Sequence, residues 1–391
     1  MKFLLFLSLA ALVTILNLNA CTSAPAAPQA TAATAAETEA SKSRKELIKE
    51  EKRRQSEADL PFRVLDTSAR IDKIAFGSGA DQNQPQPIWQ NALDQNPDLF
   101  ILTGDSIYAA DSINKPIGDQ YKKLNKIAEY RAIREKVPFM AIWNDQDYGQ
   151  IDGGSDNPEK DFARTEFVKY WGYLRSTLPP TQKALYHAKI FGTKKQTVQV
   201  IMLDTRWDRS SLKRNVDDTF NAEKPEADAF PRPYLIDEDK TKHILSEAQW
   251  SWLETELRKP AAFKILVSPI QVIANDHQFE KWGLFPHERD RLLNLIRKAK
   301  AKHIVILSGD RHLSAIAKTY IQGFNTIYDV TANALNNPVP RANALKDSSY
   351  NDAAFGGMTF GLININWDKK KAQVEFHSLD GQSKQSVEVP F

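Results

Sequence analysis

Leu99-Phe100-Ile101-Leu102-Thr103-Gly104-Asp105-Ser106-Ile107-Tyr108 is an apolar run that halts at a glycine and then presents an acid and a phenol. Four consecutive apolar residues bounded in this way read as a strand buried on both faces. The pattern recurs twice. Phe139-Met140-Ala141-Ile142 leads into Trp143-Asn144-Asp145-Gln146-Asp147-Tyr148-Gly149, and Ile304-Val305-Ile306-Leu307 leads into Ser308-Gly309-Asp310-Arg311-His312. Ligand groups in α/β proteins gather at the carboxyl ends of such strands. One rim is therefore expected to collect Asp105, Tyr108, Asp145, Asp310 and His312. Oxygen donors with a single imidazole suit hard or borderline cations, and the set reads as a metal-assisted hydrolase. Two neighbouring cations acidify a water and stabilise phosphate charge. Asp105 is the expected bridge between them, with Tyr108 reaching one ion as a phenolate. Asp145 serves the second ion, and Asp310 and His312 close the site from the far strand. A lone Gly-Asp pair is often only a turn or a helix cap; an acid just beyond an apolar run at three strand ends, twice after glycine, gives it weight.

Outward from these runs, strand and helix signals alternate, as in an α/β fold. Strands are expected over 71–76, 98–102, 197–203, 263–267 and 303–307. Helices are expected over 87–95, 117–134, 161–175, 246–258 and near 287–298. Pro87 suits a first helical turn, and Ser246 with Gln249 reads as a capping pair. Three further strands, over 326–330, 359–366 and 372–377, have no helix between them and suggest a second, antiparallel sheet. The polar stretch 208–240 reads as a long loop or lid near the site.

The N-terminus reads differently. Met1-Lys2, an apolar stretch from Phe3 to Leu16 and Leu18-Asn19-Ala20-Cys21 describe a secretory signal over 1–20 of lipoprotein type, with Cys21 as the acylated residue. Thr22 to Ala40 is Ala-, Thr- and Pro-rich, and a charged block follows; 21–60 is expected to be a tether and 61–391 one domain. Cys21 is the only cysteine among 391 residues, so no intramolecular disulfide supports the core. The net charge of +3 is small and acids are interspersed with bases, which gives no nucleic-acid-binding patch.

The motifs resemble the PhoD-like alkaline phosphatase family of the metallophosphoesterase superfamily. The resemblance rests on Pro87-Ile88-Trp89, Pro97-Asp98-Leu99-Phe100, Gly104-Asp105, Trp143, Asp147-Tyr148-Gly149 and Leu203-Asp204-Thr205-Arg206. Glu247-Ala248-Gln249-Trp250, Ser268-Pro269-Ile270-Gln271-Val272, Glu280-Lys281-Trp282, Phe285-Pro286-His287-Glu288-Arg289 and Ser308-Gly309-Asp310-Arg311-His312 continue it. It implies a four-layer α/β/β/α sandwich with mixed sheets and hydrolysis of phosphomonoesters or diesters at a dinuclear centre. By position it makes Asp105 the bridging ligand, Tyr108 an iron ligand, and Asp145, Asp310 and His312 the other metal ligands. The family's thiolate is missing, since the first strand ends in Gly77-Ser78-Gly79-Ala80-Asp81, and Gln146 stands where a histidine is common. Without a soft ligand the preference should shift from Fe towards Ca, Mn, Mg or Zn. Gln146 can hydrogen-bond phosphate but cannot transfer a proton at neutral pH. Arg206 is the expected phosphate grip, and His277 the residue that would supply the proton in place of Gln146.

The expected function is thus an exported, lipid-anchored phosphoesterase with weakened activity, at the outer membrane of a Gram-negative bacterium and facing the periplasm. Its partners are a phosphate ester and, through the N-terminal lipid, the membrane. Two rivals stand beside it: a catalytically degenerate binding protein on the same fold, and a structural lipoprotein of the cell envelope.

Overall fold

Two six-stranded sheets carry the architecture. A computed structural model describes residues 60–110, 116–217, 232–339 and 345–391. The chain divides into units 1–47 and 48–391. The expected leader, Cys21 and most of the tether lie outside the described residues, as does 218–231 of the expected loop; the description concerns the second unit. No helix among the described residues is long and apolar enough to cross a membrane.

The first sheet contains β1 (Lys73–Gly77), β2 (Leu99–Leu102), β3 (Phe139–Ala141), β10 (Thr359–Asn366), β11 (Lys371–Ser378) and β12 (Ser383–Pro390), in the order β12-β11-β10-β1-β2-β3. The second contains β4 (His187–Thr193), β5 (Gln196–Met202), β6 (Phe263–Ser268), β7 (Ile304–Ser308), β8 (Ser314–Tyr320) and β9 (Thr326–Ala332), ordered β4-β5-β6-β7-β9-β8. Strands β1, β2 and β3 run parallel to one another, as do β5, β6, β7 and β9. The carboxyl ends of each parallel set therefore share one edge of its sheet.

Side-chain alternation along the second sheet sets the layers. Val198, Val200, Met202, Ile265, Val267, Val305 and Leu307 join the core shared with the first sheet. Their neighbours Ile201, Leu203, Leu266, Ile304 and Ile306 face Trp250, Leu253 and Leu257 of α7 (Glu247–Arg258), and Leu292 and Ile296 of α8 (Pro286–Lys298). On the first sheet, Phe100 and Phe139 pack with Trp89 of α1 (Ile88–Asp94) and with each other. Tyr130 of α3 (Ala128–Lys136) joins the same aromatic cluster. The result is the expected α/β/β/α sandwich with mixed sheets.

Three expectations need correction. Residues 326–377 do not form a second sheet of their own. Strand β9 lies between β7 and β8, whereas β10 pairs antiparallel with β1 and extends the first sheet. Sequence patterning reports that a strand exists, but its partner is chosen by the core that it completes. The stretch 117–134 is two helices, α2 (Ile117–Leu124) and α3, separated by Asn125–Ile127, and 161–175 is α5 (Lys160–Tyr170) followed by the short α6 (Leu174–Thr177). Ser246 holds the extended N-cap backbone but makes no capping bond. Gln249 turns inward instead, donating to the Asp204 carbonyl and accepting the Asp204 N–H, both at 2.9 Å, and so fixes the loop after β5.

Candidate metal centre

The loops after β2, β3, β5 and β7 converge on a buried acidic cluster. Asp105 and Asp310, from opposite sheets, both take positive φ, 49° and 72°, as do Asp152 at 47° and His312 at 53°. Left-handed backbone costs a non-glycine residue about 1–3 kcal/mol and persists where the surroundings over-determine it. Those surroundings are visible. Gly104 has φ 117°, and a Cβ there would lie 2.5 Å from Asn144 Cβ, so only glycine lets the β2 loop close on the β3 loop. Asp147, on the short α4 (Asp145–Tyr148), ties the same two loops by accepting the N–H groups of Ser106 and Asn144, each at 3.1 Å. On the β7 loop, Asn333 at the end of β9 accepts the successive N–H groups of Asp310, Arg311 and His312 through its side-chain oxygen.

Two acidic triads result, and they share Asp310. The carboxylates of Asp105, Asp145 and Asp310 approach within 4.8 Å of one another, and those of Asp152, Glu280 and Asp310 do the same. Asn144 lies in the middle of the first triad. Its side-chain NH2 donates to Asp105 at 3.1 Å, Asp145 at 3.1 Å and Asp310 at 2.9 Å. Two hydrogens cannot satisfy three carboxylates fully. Backbone N–H groups of Gln146 and Asp152 add bonds of 3.3 and 3.1 Å to Asp105 and Asp145. Burial still pushes the Asp105 carboxyl up to about 7, with repulsion from Asp147 and Asp310 adding to it. Burial also drives Asp145 and Asp310 well above the usual carboxylate range, each worsened by neighbouring acids.

The second triad is compensated differently. Arg206 and Arg209 are both 0 % exposed. Arg206 pairs with Glu280 at 2.6 Å and stands 3.6 Å from Asp310, and Arg209 pairs with Glu280 at 2.9 Å. Nε and Nη2 of Arg206 also donate to Asn144 Oδ1, and Nη1 donates to the Gly153 carbonyl at 3.2 Å. Every nitrogen of this guanidinium is engaged inside the protein. Arg206 is therefore not the expected grip on substrate phosphate; it is the fixed counter-ion of Glu280 and the orienter of Asn144.

Tyr108 and His312 sit beside the first triad and pair with each other, Tyr108 Oη to His312 Nε2 at 3.2 Å. His312 Nδ1 lies 2.8 Å from the Asn337 carbonyl, which assigns its proton to Nδ1 and leaves Nε2 as the lone pair. That carbonyl is the orienting partner that sequence could not name. Gln146 accepts the Ala110 N–H at 3.3 Å through its side-chain oxygen. His277 does not match its expected role as a proton donor. Burial holds its pKa well below the ordinary value, with Arg311 and Lys281 reinforcing the effect, so it is neutral at pH 7. Asn144, Asp152, Arg209 and Glu280 were not read as site residues. The available signals were an acid between Phe279 and Trp282, and a second arginine three positions after Arg206.

The donor set of the first triad fits a divalent cation. It offers three buried oxygen ligands, negative charge that one amide cannot balance, and a phenol and an imidazole lone pair adjoining.

The sequence profile of the PhoD-like phosphatases matches residues 74–376. No curated protein matches the chain in sequence. Among solved structures it is similar to PhoD, at 14% identity and TM-score 0.59, covering 84% of this chain and 70% of that one. It is also similar to GAP50, the anchor in the inner membrane complex of Plasmodium, at 12% identity and TM-score 0.51, covering 83% and 90%. A dimetal phosphatase from Danio rerio aligns at 10% identity and TM-score 0.48, covering 83% of this chain and 100% of that chain. At these identities the first two likenesses speak to the fold.

Proposed function

The chain belongs to the PhoD-like phosphatase family, and on that premise we propose that it hydrolyses phosphate esters with a divalent cation held by Asp105, Asp145 and Asp310. The observation that carries this reading is the first triad: three buried carboxylates from three strand ends within 4.8 Å, sharing one amide. A divalent ion there supplies Lewis acidity to a phosphoryl oxygen and acidifies a water. Asn144, held by Arg206, keeps the three carboxylates oriented. His312 offers an Nε2 lone pair and Tyr108 its hydroxyl, so Asp105, Tyr108 and His312 form an adjoining, poorer cation site. It is poorer because the family's thiolate is absent and Tyr108 and His312 already bond to each other. Gln146 orients by hydrogen bonding without moving a proton, which fits a rate lowered by about a hundredfold to ten-thousandfold. The donor set favours Ca, Mn, Mg or Zn over Fe.

Export, acylation at Cys21 and a place at the outer membrane facing the periplasm belong to the same proposal and rest on the N-terminal sequence. A Cys21→Ser variant should lose membrane fractionation.

The test of the centre is metal content together with hydrolysis. Purified protein should hold one tightly bound Mn or Ca per chain and a second, weaker one, and should cleave an aryl phosphate slowly. Asp105→Asn should remove most of the metal and the hydrolysis. A folded protein that binds no divalent ion would sink the reading. Metal binding without any hydrolysis would select the non-catalytic binding protein, which the absent thiolate and Gln146 favour.

A further inference from the structure

At the far edge of the first sheet, beside β3, the last turn of α3 faces the turn that follows α5. Arg134 of α3 is 6 % exposed, and its guanidinium carbon lies 4.7 Å from the centre of the Phe139 ring and 4.6 Å from that of Trp171. Aromatic faces support the charge but take none of the five N–H groups, which lie in the guanidinium plane. Among the described residues no carboxylate pairs with Arg134, and its buried Nε has no acceptor. Trp171 is 1 % exposed, and its indole N–H is likewise buried without a partner. By contrast, Arg206 and Arg209 each reach the Glu280 carboxylate.

Arg134 and Trp171 line one cavity of about 40 Å³. Its wall contains two arginines, Arg63 and Arg134, and no acid. Arg63 belongs to the segment 62–65, which closes one side of the cavity and is tied down next to it. Its N–H donates to the Arg134 carbonyl at 2.9 Å, and it bridges Pro138 in the parallel sense. The two tyrosine hydroxyls on the wall are engaged elsewhere, Tyr170 donating to Asn125 at 2.7 Å and Tyr173 to the Ala141 carbonyl at 3.1 Å. Space of this size takes a monatomic ion or a water, one water needing about 10–15 Å³. A water that accepted from Arg134 and Trp171 would find no free side-chain acceptor on the wall for its own hydrogens. An anion needs none, and it cancels a buried charge that is otherwise uncompensated.

We infer that this cavity is a site for a small monovalent anion of chloride size, held by Arg134 and the Trp171 indole N–H, with Arg63 adding positive charge. The anion staples the segment 62–65 to β3 and to the turn after α5. Its effect is on the stability of the point where the chain enters the domain, and it is independent of the metal centre.

The experiment is a bromide titration in EDTA, at constant ionic strength against gluconate, read by the indole N–H resonances and by thermal melting. Trp171→Phe identifies the Trp171 signal by its loss. Wild-type protein should show a saturable shift of that signal and a melting temperature about 2–4 °C higher at saturation. Chloride should compete with bromide. Arg134→Met keeps an apolar stem among the rings and should lose both responses, and Arg134→Lys should recover part of them. Trp171→Phe removes one donor and should raise the half-saturating bromide concentration in the melts about tenfold, which tests the site even if Arg134→Met fails to fold. Asp105→Asn should respond to bromide as the wild type does, so failure of the metal reading leaves this result untouched. A Trp171 signal indifferent to bromide, a shift that grows without saturating, or a bromide response retained in Arg134→Met would overturn the inference.

Discussion

The two acidic triads share Asp310 and differ in what balances them. Around Asp152 and Glu280 the counter-charge is built into the chain, as two fully buried guanidinium groups. Around Asp105 and Asp145 the direct partners are one side-chain amide and two backbone N–H groups, and the Arg206 charge acts on both only from a distance. A covalently attached cation gives permanent compensation and leaves no coordination position. A shortfall gives strain that an exchangeable cation relieves. The second triad is therefore structural, and the first is where binding energy is available.

The largest expected effect comes from removing the fixed cation. Arg206→Met leaves Glu280 and Asp310 buried with less compensation and frees Asn144 to rotate. Breaking a buried pair in this way costs about 3–5 kcal/mol. Urea unfolding should show that loss, and adding Glu280→Gln should restore part of it. If Arg206→Met is as stable as the wild type, the second triad is not held together by its arginines.

The opposite sign is expected at the first triad. Asp105 has a folded pKa of about 7 against 3.8 unfolded. The folded state therefore binds this proton more tightly. Metal-free protein should be most stable below pH 4 as far as this group is concerned, and should lose that contribution as pH rises from about 4 to about 7. Asp145 and Asp310, whose carboxyls burial also holds well above the usual carboxylate range, contribute with the same sign. Melting temperature in EDTA should fall over this range and recover on adding Mn or Ca. Asp105→Asn should flatten the pH dependence and make the metal-free protein more stable at pH 8. A pH-independent melt in EDTA would mean that the first triad is already balanced.

The smallest effect concerns the missing thiolate. Gly79 has φ 75°, and a Cβ there would lie 2.4 Å from the Asn333 side-chain amide and 3.5 Å from Tyr108 Oη. Gly79→Cys should thus destabilise the β1 loop modestly and give no thiolate-to-iron absorption. Only a partner change such as Asn333→Ala leaves the sulfur room. Visible absorption after iron loading of the single and double variants distinguishes the cases. An iron–thiolate band in Gly79→Cys alone would show that the position is merely vacated and not refilled.

The sequence by itself determined the strands that end in Gly-Asp, because a buried parallel strand needs a continuous apolar run and the turn beyond it needs a glycine. It thereby also pointed to Asp105, Asp145 and Asp310, each just beyond such a strand, whereas the meeting of Asp152 and Glu280 with Asp310 was decided by the fold. It could not determine which charges cancel. Arg206 sits in a strand-end motif that reads equally well as a phosphate grip. Only folding brings Glu280, 74 positions later in number and on another loop, to 2.6 Å from it. The fate of the last strands was hidden for the same reason: β10 is apolar enough for either sheet, and pairing with β1 is decided by the core it covers. Likewise, His277 reads in sequence as a proton source, and only the fold, by setting Ser308 against Thr331 and turning the Gln271 carbonyl to His277 Nε2, fixes which nitrogen carries its proton. Local pattern follows from chain covalency, whereas charge balance and proton position depend on contacts between residues far apart in sequence.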